Sequence, residues 1–198
     1  MLFLKGHEVV SDEYVVANCR KRLVNAMELK LRYYGDPILR EVCEPVEVFD
    51  DNLREEAQAM VDTMCRERGI GLAAPQVGMT QRLIIALQMK DTNDVDAEPL
   101  PLVNPEVLER SKPTWEYEEG CLSIPGVLGK VERSVDVVVR YQDLDGVEHT
   151  ITASGMFARI LLHEIDHLHG RLFVDYLSSA QKSLVKPELK RIAANYLA

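Results

Sequence analysis

Between residues 51 and 68 the apolar side chains Leu53, Ala57, Met60, Val61 and Met64 recur at i, i+4, i+7, i+8 and i+11. That spacing predicts an amphipathic helix with a charged outer face. Asp50 or Asp51 can cap its start, and Gly69 can end it. Cys65 lies near the same stripe and reads as a core thiol. The period then shortens. Strand-like runs fall at 82–89, 100–104, 114–117, 134–142 and 148–153, the segment 135–141 being richest in β-branched residues. Residues 143–146 read as a hairpin turn, and the acidic stretch 91–98 as a solvated loop.

A second helix is expected over 154–169, with Ser154 as N-cap and Gly170 just past its end. Met156, Phe157, Ile160, Leu161, Leu162 and Ile165 make it apolar almost all round, so it belongs at the centre of the molecule, wrapped by sheet. In the tail, Ser178 and Ser179 can cap, and Pro187 fits near the start of a last helix carrying Leu189, Ile192, Ala193 and Tyr196 on one face. Helices and strands mix without βαβ alternation. The expected class is α+β: mainly antiparallel sheet around a central helix, with a C-terminal helix. Residues 1–26 carry only a loose apolar stripe and are treated as an N-terminal extension. Residues 27–198 then form a single domain, with Met27 a candidate natural start.

The chain has 198 residues, 46% hydrophobic and 28% charged, enough for one substantial core. A formal net charge of −9 argues against sequence-specific nucleic-acid binding, which needs a concentrated basic surface. No apolar run approaches the ~20 residues that span a bilayer, and the apolar patch at residues 1–4 is too short for a signal segment. Cys19, Cys43, Cys65 and Cys121 form no CxxC pair. The expectation is a cytoplasmic protein with no membrane partner.

The chemistry is concentrated in HEIDH at 163–167. On a helix, His163 and His167 share one face and can hold one metal ion, and Glu164 can serve a bound water as general base. A chance repeat of His on a charged turn is the plain alternative, but two His and a Glu inside an apolar helix need partners that an ion would supply. A third donor is required. Cys121, in EGCLS at 119–123, would complete a three-ligand site with one open position; a buried structural thiol is the competing reading. His7, His149 and His169, like Cys19 and Cys43, read as surface or structural residues.

Three separated motifs, GIGLAAPQ at 69–76, EGCLS at 119–123 and HEIDH at 163–167, resemble those of the peptide deformylases in order and approximate spacing. The resemblance runs from about Met27 to about Leu177. It implies a metal-dependent hydrolase that removes the formyl group from the N-terminal formylmethionine of newly made polypeptides, releasing formate. Cys121, His163 and His167 would hold one divalent ion, Fe(2+) natively, with Zn(2+), Ni(2+) or Co(2+) as alternatives. Metal-bound water would be the nucleophile and Glu164 the general base, with Gln76 and the Leu122 N–H stabilising the oxyanion. Ile70 and Gly71 would contact the substrate, and Ile160 would line the methionine pocket. Glu119 and Arg133 would support the Cys121 loop, unless they are a surface ion pair; Asp166 may be read the same two ways, as an orienting group or a solvated one. The partners implied are N-formylmethionyl nascent peptides and, through Lys182, Lys186, Lys190 and Arg191, the ribosome. Leu162 departs from the Gln that many family members carry before the first His. An HExxH zinc peptidase is the nearest rival, although no suitable His or Glu follows at short range to be the third ligand. A non-catalytic metal- or peptide-binding module is the other, although binding alone requires neither Glu164 nor Gln76.

Overall fold

In the computed structural model, residues 29–89 and 97–196 are described. The first helix, α1 (Asp51–Arg66), forms where the apolar stripe predicts it, and the Asp50 side chain accepts from Leu53 N–H at 3.1 Å to cap it. Leu53, Ala57, Met60, Val61 and Met64 are all buried. The expectations for residues 1–26 and for most of the acidic loop lie outside the described residues.

Seven strands follow: β1 (Gly71–Ala73), β2 (Leu83–Leu87), β3 (Pro99–Arg110), β4 (Thr114–Cys121), β5 (Ile124–Ser134), β6 (Asp136–Gln142) and β7 (Glu148–Ser154). All their pairings are antiparallel. Five make one sheet in the order β1-β2-β3-β6-β7, while β4 and β5 form a separate hairpin ribbon. β3 runs well beyond the expected 100–104; a register shift between Val103 and Glu106 accommodates Pro105, and Asn104 there takes a positive φ of 50°. The turn at 143–146 joins β6 to β7, with Gly146 N–H donating to Asp143 O.

The central helix α2 (Gly155–His167) packs on β1, β2 and β7. Its Ile160, Leu161, Leu162 and Ile165 share one cluster with Leu72, Ile84, Ile85, Leu102 and Val139. Ser154 occupies the N-cap, but its side chain makes no capping bond. Gly170 has the positive φ of 66° that turns the chain away after the helix.

The last helix, α3 (Ser179–Tyr196), corrects the reading of the tail: Pro187 lies inside it, not near its start. An interior proline costs roughly 3 kcal/mol. Here it sits on the exposed face, where water can reach the carbonyl it leaves unpaired. On the other side Val185, Leu189 and the buried Ile192 pack into a second cluster with Cys121, Ile124, Val131, Phe173 and Leu177. That packing carries the helix through the proline. Among the described residues, no helix is long and apolar enough to cross a membrane.

Candidate active site

The two halves of the site come from the two ends of this architecture. Cys121 closes β4 and is fully buried; His163 and His167 lie one helical turn apart on α2. The ligand atoms of the three residues lie within 4.8 Å of one another. Cys121 Sγ is 3.4 Å from His167 Nε2, and His163 Nε2 is buried with no hydrogen-bond partner. An orphaned imidazole nitrogen facing a thiol and a second imidazole fits a soft-to-borderline divalent cation.

The hydrogen bond behind His163 fixes its tautomer. His163 Nδ1 lies 3.0 Å from Glu119 Oε2, so the ring donates there and turns its Nε2 lone pair toward Cys121 and His167. Burial opposes ionisation of Glu119, but the His163 hydrogen bond and the Arg133 charge outweigh it and hold the carboxyl well below its usual range. Burial likewise opposes a thiolate at Cys121; the neighbouring His167 and His163 prevail and lower its pKa strongly. Glu164 moves the other way. Its burial outweighs the nearby histidines and raises its pKa.

Gln76 sits in a short 3-10 turn after β1. Its Oε1 accepts from Ala73 N–H at 2.8 Å, which aims Nε2 at Cys121 Sγ (3.2 Å) and Ser123 Oγ (3.3 Å). Leu122 follows Cys121 directly and is buried in the main core cluster. A Cβ at Gly71 would collide with the Glu164 carboxylate, so any larger residue there must displace that side chain or the backbone. The β1 backbone therefore lies directly over Glu164. Ile70 and Ile160 are both buried in the main cluster, 4% and 1% exposed.

Glu119 and Arg133 are not a surface pair: they are 0% and 6% exposed and joined by two bonds of 2.6 and 2.9 Å. Arg133 also donates to Asp166 at 2.8 Å, and Asp166 accepts from Tyr176 Oη at 2.9 Å. Asp166 is thus a partner in the network and not a solvated helix residue. Sequence reasoning missed Arg159, whose Nη1 donates to Glu119 at 2.6 Å. The available signal was position, since Arg159, His163 and His167 follow at i, i+4 and i+8. Leu162 is buried among apolar side chains, so the polar group of a family Gln has no counterpart here. His149 pairs with Asp143 at the surface, and His169 Nδ1 bonds the Ile165 carbonyl. Cys43 is a buried free thiol, whereas Cys65, read from the sequence as a core thiol, is buried but disulfide-bonded; His7 and Cys19 lie outside the described residues.

A buried Cys/His/His group on an antiparallel sheet and a central helix, with a carboxylate beside it, could hold one metal ion and fits the class of metal-dependent hydrolases. The family model for polypeptide deformylase matches residues 28–183. Peptide deformylase of Bartonella tribocorum is 44% identical over 158 residues, covering 80% of this chain and 89% of that one. The Thermotoga petrophila enzyme is 42% identical, covering 83% and 96%. Among solved structures, Plasmodium falciparum peptide deformylase aligns with a TM-score of 0.78 at 39% identity, covering 84% of this chain and 96% of that one. A plant peptide deformylase aligns with a TM-score of 0.81 at 34% identity, covering 88% and 94%. The chain belongs to the polypeptide deformylase family, enzymes that remove the N-formyl group from newly made peptides.

Proposed function

We propose that this chain hydrolyses the formyl amide of N-terminal formylmethionine through the Cys121–His163–His167 site, with residues 27–198 acting as one catalytic domain. The observation that carries the mechanism is the buried Glu164 carboxylate, held against the β1 backbone beside the triad. Cys121, His163 and His167 would hold the ion, which when bound supplies the Lewis acidity that brings the pKa of water near neutrality. One thiolate and two imidazoles suit Fe(II), Co(II), Ni(II) and Zn(II); the family resemblance favours Fe(II).

Glu164 takes a proton from the attacking water as its oxygen bonds to the formyl carbon. Negative charge then develops on the formyl oxygen, where the Gln76 amide and the Leu122 N–H donate. When the carbon–nitrogen bond breaks, Glu164 returns the proton to the departing amine. The products balance as formate and a peptide with a free amino terminus. Ile70 and Gly71 present backbone to the substrate chain, and Ile160 bounds the pocket for the methionine side chain. Formate release from a formyl-methionyl peptide tests this reading. Activity that survives Glu164→Ala or Cys121→Ala would sink it.

The ribosome contact through α3 belongs to the same proposal. Of its basic groups, Lys182 donates to Asp175 O and Arg191 pairs with Glu188, while Lys186 and Lys190 are exposed. Lys186→Glu with Lys190→Glu should reduce co-sedimentation with ribosomes; unchanged co-sedimentation would remove the contact.

A further inference from the structure

Arg159 is among the largest fully buried side chains, 1% exposed, on a helix otherwise made almost entirely of apolar residues and the site itself. A buried guanidinium is costly unless nearly every donor is matched and a counter-charge is close. Its Nη1 donates to Glu119 Oε1 at 2.6 Å and to the Val131 carbonyl at 3.0 Å, and its Nη2 donates to the Trp115 carbonyl, while the buried Nε makes no hydrogen bond. The guanidinium carbon lies 5.0 Å from the Trp115 ring centre and 5.7 Å from that of Tyr117, within cation–π range. Trp115, Tyr117 and Glu119 are alternate residues of β4, so they share a face and Arg159 touches all three. Val131 lies opposite Tyr117 in the ribbon register. One side chain of α2 therefore spans both strands of the hairpin that ends at Cys121.

This placement matters because no single element carries the whole triad. Cys121 rides on the hairpin, His163 and His167 on the helix. Two arginines join the halves. Arg133 reaches from β5 to Glu119 and to Asp166 on the helix; Arg159 reaches from the helix to Glu119 and to both hairpin strands. Glu119 receives both arginines and the His163 Nδ1–H, so the position of its carboxylate sets the angle of that imidazole.

We propose that Arg159 is a positioning residue for the metal site: it seats the β4–β5 hairpin on α2 and, through Glu119, orients His163, so that Cys121 and both histidines can share one ion. The inference rests on the metal-site reading above. It assigns to Arg159, beside Arg133, the register between the two halves of the site.

The test uses the full chain and Co(II) as probe, read through the thiolate-to-cobalt absorption band and by affinity in chelator competition. Arg159→Met keeps most of the volume and removes the charge and its bonds. It should lower Co(II) affinity about 10- to 100-fold, the usual cost of losing an outer partner of a metal ligand, and shift the absorption band. At saturating metal, kcat should fall more than KM rises. Arg159→Lys, which keeps the charge, should recover part of both losses, and carries the test alone if the Met variant does not fold. Because Arg159 acts through Glu119, combining Arg159→Met with Glu119→Gln should cost less than the product of the single effects. Unchanged cobalt affinity and spectrum in the variants, whatever their melting temperature, would overturn the inference, as would fully multiplicative losses. Absence of the thiolate band in the wild-type chain would instead overturn the metal-site reading itself.

Discussion

His163 Nδ1 lies 3.0 Å from Glu119 Oε2, and the same carboxylate takes bonds from Arg133 and Arg159 while fully buried. An ionised carboxylate only accepts, so His163 must carry its proton on Nδ1 and leave Nε2 for an ion. Glu119→Gln keeps the shape but adds an amide that competes with the ring proton and leaves two arginines short of charge. Metal affinity should drop about 10- to 100-fold. Stability should fall by about 3–5 kcal/mol, the cost of breaking a buried ion network. Metal titration and urea unfolding check the two parts separately; a variant matching wild type in both would show that the network does not support the site.

Gly71→Ala separates catalysis from metal binding. The added Cβ must displace the Glu164 carboxylate or the β1 backbone. A shift of about 1 Å at a reacting group can cost about 100-fold in rate. We expect kcat/KM to fall by that order while Co(II) affinity stays near wild type. Wild-type turnover would mean that Glu164 tolerates displacement and is not the base.

The Arg40–Asp175 pair gives stability a pH dependence. Asp175 accepts from both Nη atoms of Arg40, at 2.6 and 3.0 Å, and from Leu172 N–H. Partial burial opposes ionisation, but the Arg40 hydrogen bond outweighs it and lowers the folded-state pKa. An unfolded Asp titrates near about 3.9. The folded value is lower, so the contribution is complete above the unfolded value and is lost as pH falls through the folded one. Both side chains are about two-fifths exposed, 42% and 41%, which limits the pair to about 1 kcal/mol or less. Asp175→Asn should therefore lower the melting temperature slightly at pH 7, with the difference closing below about pH 4. A gap that widens on acidification would contradict the assignment.

Ile192 tests how α3 is held. It is the buried anchor of that helix, beside Leu39, Phe173 and Leu177. Truncation to Ala should cost about 2–4 kcal/mol, measured by denaturant unfolding. A loss below about 0.5 kcal/mol would show that α3 docks by other contacts.

Where the sequence was legible, one periodicity or one motif decided the matter. The stripe from Leu53 to Met64 gives α1 almost to the residue, and HEIDH inside an apolar run gives the centre of the fold. β5 carries no clear strand pattern, since Pro125, Gly126 and Gly129 weaken strand propensity. It is a strand because β4 lies alongside and because Gly129 makes room for Leu177. Pro99, Pro101 and Pro105 hid the length of β3 in the same way. Pro187 misled because its cost is local while the packing of Ile192 is tertiary. In the site, the ligands and the carboxylate could be named from their motifs. For Arg159 the one local signal is its i, i+4, i+8 spacing with the two histidines; its contacts with Trp115 and Tyr117 are tertiary and carry no motif.

The central claim is that Glu164 moves the proton while Cys121, His163 and His167 hold the ion. Wild type and Glu164→Gln should be purified anaerobically, with bound metal and formate release measured on the same samples. Both proteins should carry about one ion per chain, and the variant should lose about 10²- to 10⁴-fold in kcat, the range for a general base. A variant that keeps both its ion and near-wild-type turnover would contradict the account.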